Sequence, residues 1–353
     1  MSIKNKYIGI LLIATAMLLN ACSSDNPEAQ TVTTVNEPVG KEVQLMSYAS
    51  PFTDKELSHR AAPAGFTAYT PDKNTNMGIY MLLEGAPEEK RITYNTSTRK
   101  WNAYFEVEKN KTFTVYGYMP KTGEMNSTLE KSTADAATLT ISNMKPVTTD
   151  DICIITGVKN TDEELKEGQF SWSTPMEEVE TYFISILMDH LYAAAQFRLK
   201  IDADYASLRT IKLKTMTLST DYGNVIATIS LAHNTTGASP ISSVTYTPSG
   251  DSDEIIIFNS DEGTPLDKET PLIINAYFAP GLSNNLTLVT TYDVYDSKGN
   301  LIRQGQDCTA TNKLPDLDAP RGQRVLLNMT VNPTYLYVLS DPDLDNPTIT
   351  IEN

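Results

Sequence analysis

The alternation of apolar and polar positions is cleanest in the second half of the chain. From Ala195 to Asp202, Ala195, Phe197, Leu199 and Ile201 alternate with Gln196, Arg198, Lys200 and Asp202. A period of two puts one set on each face, so this stretch predicts a half-buried strand. Residues 208–218 begin the same way with Ile211 and Leu213, and the apolar phase then steps by three to Met216 and Leu218. One inserted residue, a β-bulge, restores the facing. Further strands are predicted at residues 225–231, 254–258, 272–278, 286–294, 301–306 and 325–331. Between two of them, Asp296-Ser297-Lys298-Gly299-Asn300 reads as a hairpin turn in which Gly299 is free to take positive φ.

The first half carries the same signals in shorter pieces. Strands are predicted at 43–48, 77–83, 101–107 and 113–119, the last with Phe113, Val115, Gly117 and Met119 on one side. Residues 152–156 form a continuous apolar run, as a strand buried on both faces would. Residues 161–166 suggest one helical turn in a loop. No region repeats at a fixed period and no helix of four turns is apparent. Short, closely spaced strands over most of the chain predict an all-β protein with two β-sandwich domains in tandem. The junction is placed near Ser185, after the acidic Glu177-Glu178-Val179-Glu180, dividing residues 61–184 from 185–353. No Pro/Gly-rich linker marks it, which predicts a packed interface between the domains.

The chain begins differently. Lys4 and Lys6 lead into an apolar run from Tyr7 to Leu19, too short to span a bilayer comfortably, and a small residue precedes Cys22. This is the pattern of a secretory leader, residues 1–21. Leu19-Asn20-Ala21-Cys22 resembles the bacterial lipobox, which implies cleavage before Cys22 and acylation of its side chain and amine. Several acyl chains on one residue exceed what stable anchoring needs. Residues 22–60 are then a polar tether followed by the first strand at 43–48 and a loop.

Charge and chemistry narrow the function. The chain carries 28 basic and 44 acidic side chains, a formal charge of −16, and the leader removes Lys4 and Lys6 but no acid. Such an acidic surface disfavours nucleic acid as a partner. Of three cysteines, Cys22 is the acylation site, while Cys153 sits in an apolar run far from Cys308; their pairing is left open by the sequence. His59, His190 and His233 stand far apart, with no carboxylate or cysteine at ligand spacing, and are read as structural or surface residues. Residues 341–346 have the acidity of a calcium loop but neither the glycine nor the terminal glutamate of an EF-hand, and read as a turn. There is no G-x-S-x-G elbow and no phosphate-binding glycine loop. Neither a metal, a cofactor nor a catalytic residue is assigned, and the chain is read as no enzyme.

Several local patterns resemble one family. They are Gly78-Ile79-Tyr80, Trp101 leading into Val115-Tyr116-Gly117-Tyr118-Met119-Pro120, His190-Leu191-Tyr192-Ala193-Ala194-Ala195-Gln196-Phe197, Leu208-Arg209-Thr210-Ile211-Lys212-Leu213 and Pro333-Thr334-Tyr335-Leu336-Tyr337-Val338-Leu339. In this order, after a lipobox and a tether, they resemble the fimbrillins, the type V pilins of Bacteroidales. The resemblance implies transthyretin-like, Greek-key sandwiches and a subunit of a cell-surface fimbria. It implies export as an outer-membrane lipoprotein, an arginine-directed protease that cuts between Arg60 and Ala61, and loss of the first strand. A donor strand from another pilin subunit, residues 335–353 with Tyr335, Tyr337, Ile349 and Ile351, would then fill the groove by β-strand addition. Host or bacterial surface ligands would be further partners. The alternative reading is a surface lipoprotein that binds carbohydrate through exposed aromatic platforms, for which Trp101 and Trp172 are candidates.

Cys22→Ala is expected to leave the precursor uncleaved or to release the protein into the soluble fraction, as fractionation of cells would show. A membrane-bound, normally processed variant would overturn the lipobox reading.

Overall fold

The computed structural model describes residues 40–54, 66–84, 86–133, 135–159, 166–233, 239–282, 286–305, 308–314, 317, 319–332 and 348–352. The chain is all-β. Among the described residues the α-helix is one turn, α1 (Ala203–Ala206), capped by Asp202, whose carboxylate accepts from the amides of Asp204 and Tyr205. No helix among them is long and apolar enough to cross a membrane. Strands are numbered below in chain order.

The largest sheet contains β1 (Lys41–Ala49), β3 (Thr67–Tyr69), β4 (Thr75–Leu82), β5 (Lys90–Asn95), β6 (Lys100–Asn102), β7 (Tyr104–Phe105), β8 (Thr112–Met119), β12 (Cys153–Lys159), β13 (Ser171–Ser173) and β14 (Thr181–His190). Its order is β3-β1-β14-β12-β8-β4-β5-β6, with β13 on β8. The sheet curls, because β7, directly after β6, returns to pair with β1. Its inner face holds a core of Val43, Leu45, Met77, Ile79, Trp101, Phe113, Val115, Ile155, Trp172, Ile184 and Ile186. The predicted facing of Phe113, Val115 and Met119 matches, since all three line this core while Tyr116 and Tyr118 turn to the opposite face.

That opposite face packs on a four-stranded sheet of β9 (Asn126–Thr133), β10 (Ala136–Met144), β17 (Asn224–Ala232) and β18 (Ile241–Ser249), ordered β18-β17-β10-β9. Tyr80, Tyr116, Ile152 and Ile154 meet Leu139, Ile141, Val225, Ala227 and Ile229 between the two sheets. A third core lies between two further sheets. One runs β11 (Val147–Thr148), β20 (Leu272–Phe278), β15 (Ala193–Ile201), β24 (Gln323–Val331), β2 (Thr53–Asp54), with β25 (Thr348–Glu352) also on β24. The other runs β19 (Asp253–Pro265), β16 (Arg209–Thr220), β21 (Thr287–Asp296), β22 (Leu301–Arg303), with β23 (Thr309–Lys313) on β21. Phe197, Leu199, Leu213, Met216, Leu288 and Leu327 fill the space between them.

Two second-half expectations match in detail, the bulge and the turn, while the strand expected at 301–306 ends at Arg303. In β16 the register slips between Leu213 and Thr215 against both neighbours, and Ile211, Leu213, Met216 and Leu218 all remain buried. At the turn, Gly299 has φ of 82° and donates its amide to the Asp296 carbonyl at 3.0 Å. The Asp296 carboxylate accepts from the Asn300 side chain, then from the amides of Asn300 and Lys298, which holds its carboxyl below the ordinary value. Other elements differ. The strand expected at 101–107 is broken at Ala103, whose carbonyl accepts the amide of Val43 from β1 instead of continuing the hairpin ladder. Ser185, the expected junction, lies inside β14, and β17 and β18 from beyond it complete the sheet begun by β9 and β10. Cys153 and Cys308 lie in different cores and are not joined by a disulfide.

Phe197 is fully buried, across from Ile274 on β20 and Leu327 on β24. Phe197→Ala should lower unfolding free energy by about 3–5 kcal/mol in a denaturant titration. A loss within error of zero would mean that this core is not packed as described.

Candidate functional site at the closing strand

The β1 strand is made by alternation: Val43, Leu45, Ser47 and Ala49 are buried, while Gln44 and Tyr48 are half-buried and Met46 is exposed. It runs parallel to β14 through eight consecutive partners, from Glu42 opposite Thr181 to Ala49 opposite Met188. Its other side is taken up in pieces. Lys41 and Glu42 pair with β7, and Ser47 to Ala49 pair with β3. Thus β1 joins the two ends of the curled sheet. Burying Val43 and Leu45 contributes about 1.5–3 kcal/mol each.

The entry to the strand is tight. Gly40 has φ of 107°, and a Cβ there would stand 2.4 Å from the Phe105 carbonyl oxygen, so only glycine fits. The exit is held by a polar cluster. The Ser50 amide donates to the Met188 carbonyl at 3.0 Å, and the Ser50 hydroxyl donates to Asp189 Oδ1 at 2.6 Å. Asp189 also carries an ion pair with Arg321, and Ser50 offers its carbonyl to His190 Nε2 at 2.7 Å. Phe52 stacks on the His190 ring with centroids 3.6 Å apart. The chain then crosses to the sheet of β24, where β2 pairs in parallel with Gln323 and Arg324 and Asp54 accepts from Arg324 Nε at 2.7 Å.

Beneath this crossing lie three groups that sequence spacing leaves scattered. Cys153, the first residue of β12, is the register partner of His190, the last of β14, and Asp151 lies two residues before Cys153. His190 Nδ1 is 2.8 Å from Asp151 Oδ2 and 3.6 Å from Cys153 Sγ, and the thiol donates to Asp151 Oδ2 over 3.4 Å. Nε2 faces a carbonyl and Nδ1 a carboxylate, and both are acceptors that favour the charged form of the ring. Burial opposes that charge, but the hydrogen bond and charge of Asp151 and the charge of Asp189 outweigh it and hold His190 above the ordinary histidine value. For Asp189, burial is outweighed by Arg321 and the Ser50 hydroxyl, and the carboxyl sits below its ordinary value. Burial first, then Asp151, pushes the Cys153 thiol well up, and burial with the nearby Asp151 and Cys153 pushes Tyr277 up to about 12. Burial and the raised pKa disfavour the thiolate that a Cys–His dyad needs.

Other expected site residues are dispersed or lie elsewhere. Cys22, Arg60, Ala61, Tyr335, Tyr337 and His59 lie outside the described residues, as does the acidic turn at 341–346. Ile349 and Ile351 are in β25, opposite Met329 and Leu327 of their own β24. His233 Nε2 is 2.7 Å from the Tyr116 hydroxyl. Trp101 and Trp172 are buried in the inner core and offer no platform to a sugar. The one sequence signal for the polar cluster was Asp151-x-Cys153, two same-face residues at the start of an apolar strand.

Asp189→Asn removes the charge that pairs with Arg321 and should cost about 1–3 kcal/mol locally. Amide exchange measured by mass spectrometry should quicken in 41–54 and stay unchanged in 193–201. Because the Asp189 pKa is depressed, its stabilisation is present above the ordinary carboxylate value and is lost as pH falls through the depressed one. The wild type should therefore loosen in the same segment on acidification. Unchanged exchange in 41–54 would show that the cluster does not hold the strand.

No protein-family model matches the chain, and no curated protein is similar to it. Among solved structures it is similar to a candidate cell adhesion protein from Bacteroides fragilis, at 12% identity and a TM-score of 0.44, covering 88% of this chain and 97% of that one. It is similar also to a fimbrial protein from Bacteroides vulgatus, at 15% identity and a TM-score of 0.34, covering 87% and 97%. A third is the fimbrial anchor protein Mfa2 from Porphyromonas gingivalis, at 10% identity and a TM-score of 0.21, again covering 87% and 97%. These three solved structures bear names from cell adhesion and fimbriae.

Proposed function

We propose that the protein is a structural or accessory subunit of a cell-surface fimbria, exported as a lipoprotein through Cys22 and assembled by β-strand exchange. The observation that carries this reading is the position of β1. One strand near the N-terminal end closes the inner core, has Val43 and Leu45 buried within it, and precedes Arg60 in the sequence. Removing it would uncover the apolar partners Tyr182, Ile184 and Ile186 and the unpaired edge of β14. An exposed apolar strand edge recruits another strand.

Cleavage between Arg60 and Ala61 by a trypsin-like protease is the proposed trigger. While β1 is covalently attached, its effective concentration at the groove excludes any competitor. Once the chain is cut, β1 is held only by its own contacts, and a better-matched donor from another subunit can displace it. Residues 335–353 are the proposed donor, with Ile349 and Ile351 leaving β24 for the groove of a neighbour. Burial of both tryptophans weighs against the carbohydrate-platform alternative.

Digestion of the purified precursor, N-terminal sequencing and size-exclusion chromatography test the proposal. Ala61 should become the new N-terminus, with larger species only in the digested sample. Deleting residues 347–353 should abolish those species and leave a folded monomer. Ladders that persist without the tail would move the donor role elsewhere; no assembly after a clean cut at Arg60 would overturn the exchange mechanism.

A further inference from the structure

We infer that Asp151, Cys153 and His190 form a binding site for a divalent transition metal of the zinc class, set beneath the exit of β1. Their donor atoms are a carboxylate oxygen, a thiol sulfur and an imidazole nitrogen, all within 4.8 Å of one another. This mixed N, O, S set suits zinc or cobalt rather than calcium or magnesium, which take oxygen.

The geometry is close to what an ion needs. Zinc bonds of about 2.0–2.1 Å to nitrogen, 2.0–2.2 Å to oxygen and 2.3 Å to sulfur, at tetrahedral angles, place N and S about 3.6 Å apart, O and S about 3.5 Å and N and O about 3.3 Å. The separations here are 3.6 Å, 3.4 Å and 2.8 Å. Only the Asp151–His190 edge must open, by about 0.5 Å. Asp151 is part-exposed, with its side chain 20% accessible, and can make that move, whereas Cys153 and His190 are fixed in adjacent strands.

Two further observations point the same way. His190 presents Nδ1 to the other donors while Nε2 donates to the Ser50 carbonyl, and a backbone carbonyl on the second nitrogen is how metal-binding histidines are oriented. Asp151 Oδ1 is a buried oxygen with no hydrogen-bond partner, and it lies on the carboxylate whose other oxygen faces the thiol and imidazole. It is available as a fourth donor or as a partner for a bound water. On binding, the ion displaces the thiol proton and the Nδ1 proton, both to solvent, and no electron moves. Thiolate, carboxylate and a divalent cation then sum to zero charge, leaving Asp189 balanced by Arg321. The ion would tie β12 to β14 while the Nε2–H bond still holds Ser50.

The site does not depend on the strand-exchange reading, and its test involves no assembly. Cobalt(II) titrated under reducing conditions into the metal-free full chain should bind one ion at this site, with a thiolate-to-cobalt charge-transfer band and the intense visible bands of tetrahedral coordination. Zinc should displace it and raise the melting temperature. In Cys153→Ser the charge-transfer band should vanish and affinity fall at least tenfold, while the metal-free melting temperature stays near wild type. Cys22 and Cys308 remain in both proteins, so the difference isolates Cys153. Should Cys153→Ser fail to fold, Asp151→Asn must still weaken zinc binding at least tenfold. A band that survives in Cys153→Ser, zinc affinity unchanged in Asp151→Asn, or no saturable binding by wild type would overturn the assignment.

Discussion

A sheet that curls onto itself needs one strand to join its ends, and here the joint is β1. The requirement follows from backbone hydrogen bonding, since every buried strand edge must find a partner. The edge of β14 is satisfied by eight residues of β1, the far end of the curl reaches β1 through β7, and β3 covers another part of β1's outer edge. The inner core depends on that joint. Val43 and Leu45 complete a cluster whose other members come from nearly every strand of the sheet. Because β1 is parallel to β14, no tight hairpin can connect them, and the intervening chain must build the rest of the curl first. The joint is thus made by the earliest strand and the latest one of the same sheet.

Much of this was legible in the residues, and the failures have physical causes. From Ala195 onward β15 alternates cleanly because one face packs on a single core, and the bulge in β16 is visible as a phase step. By contrast β9 reads Asn-Ser-Thr-Leu-Glu-Lys-Ser-Thr and β18 is mostly exposed, so neither carries a strong apolar period. The pairing of β10 with β17 spans more than eighty residues of chain, and no local pattern announces it. A split near Ser185 reads acidic composition as a boundary, whereas β14 continues through it because Tyr182, Ile184 and Ile186 belong to the inner core. At the candidate site, Val43 and Leu45 were visible as a strand. The cluster of Asp151, Cys153 and His190 was not, because antiparallel register rather than sequence spacing brings Cys153 beside His190.

The polar cluster is also an electrostatic arrangement. Asp151, His190, Asp189 and Arg321 alternate in sign across the ends of β12 and β14 and the turn before β24. Isolated, any one of them would be costly to bury, and together each carries a partner. Such a chain of charges fixes geometry more than it adds stability, and what it fixes is Ser50 and Phe52, the two residues through which the N-terminal strand leaves one core for the next.

The edge of β24 carries a further consequence. Its neighbour on one side is β15, and the opposite side is divided between β2, at Gln323 and Arg324, and β25, from Leu326 to Thr330. The segment after the first strand and the tail of the chain are therefore co-tenants of one edge. While β25 stays docked, only Gln323 to Val325 and Val331 could lie open, too few to seed a stable intermolecular ladder. With both gone, nine residues from Gln323 to Val331 would lie open, with five of them buried in the intact fold. That is the length and character of a segment that stacks with copies of itself. Covering that one edge from both ends of the chain therefore guards the fold against pairing with its own copies.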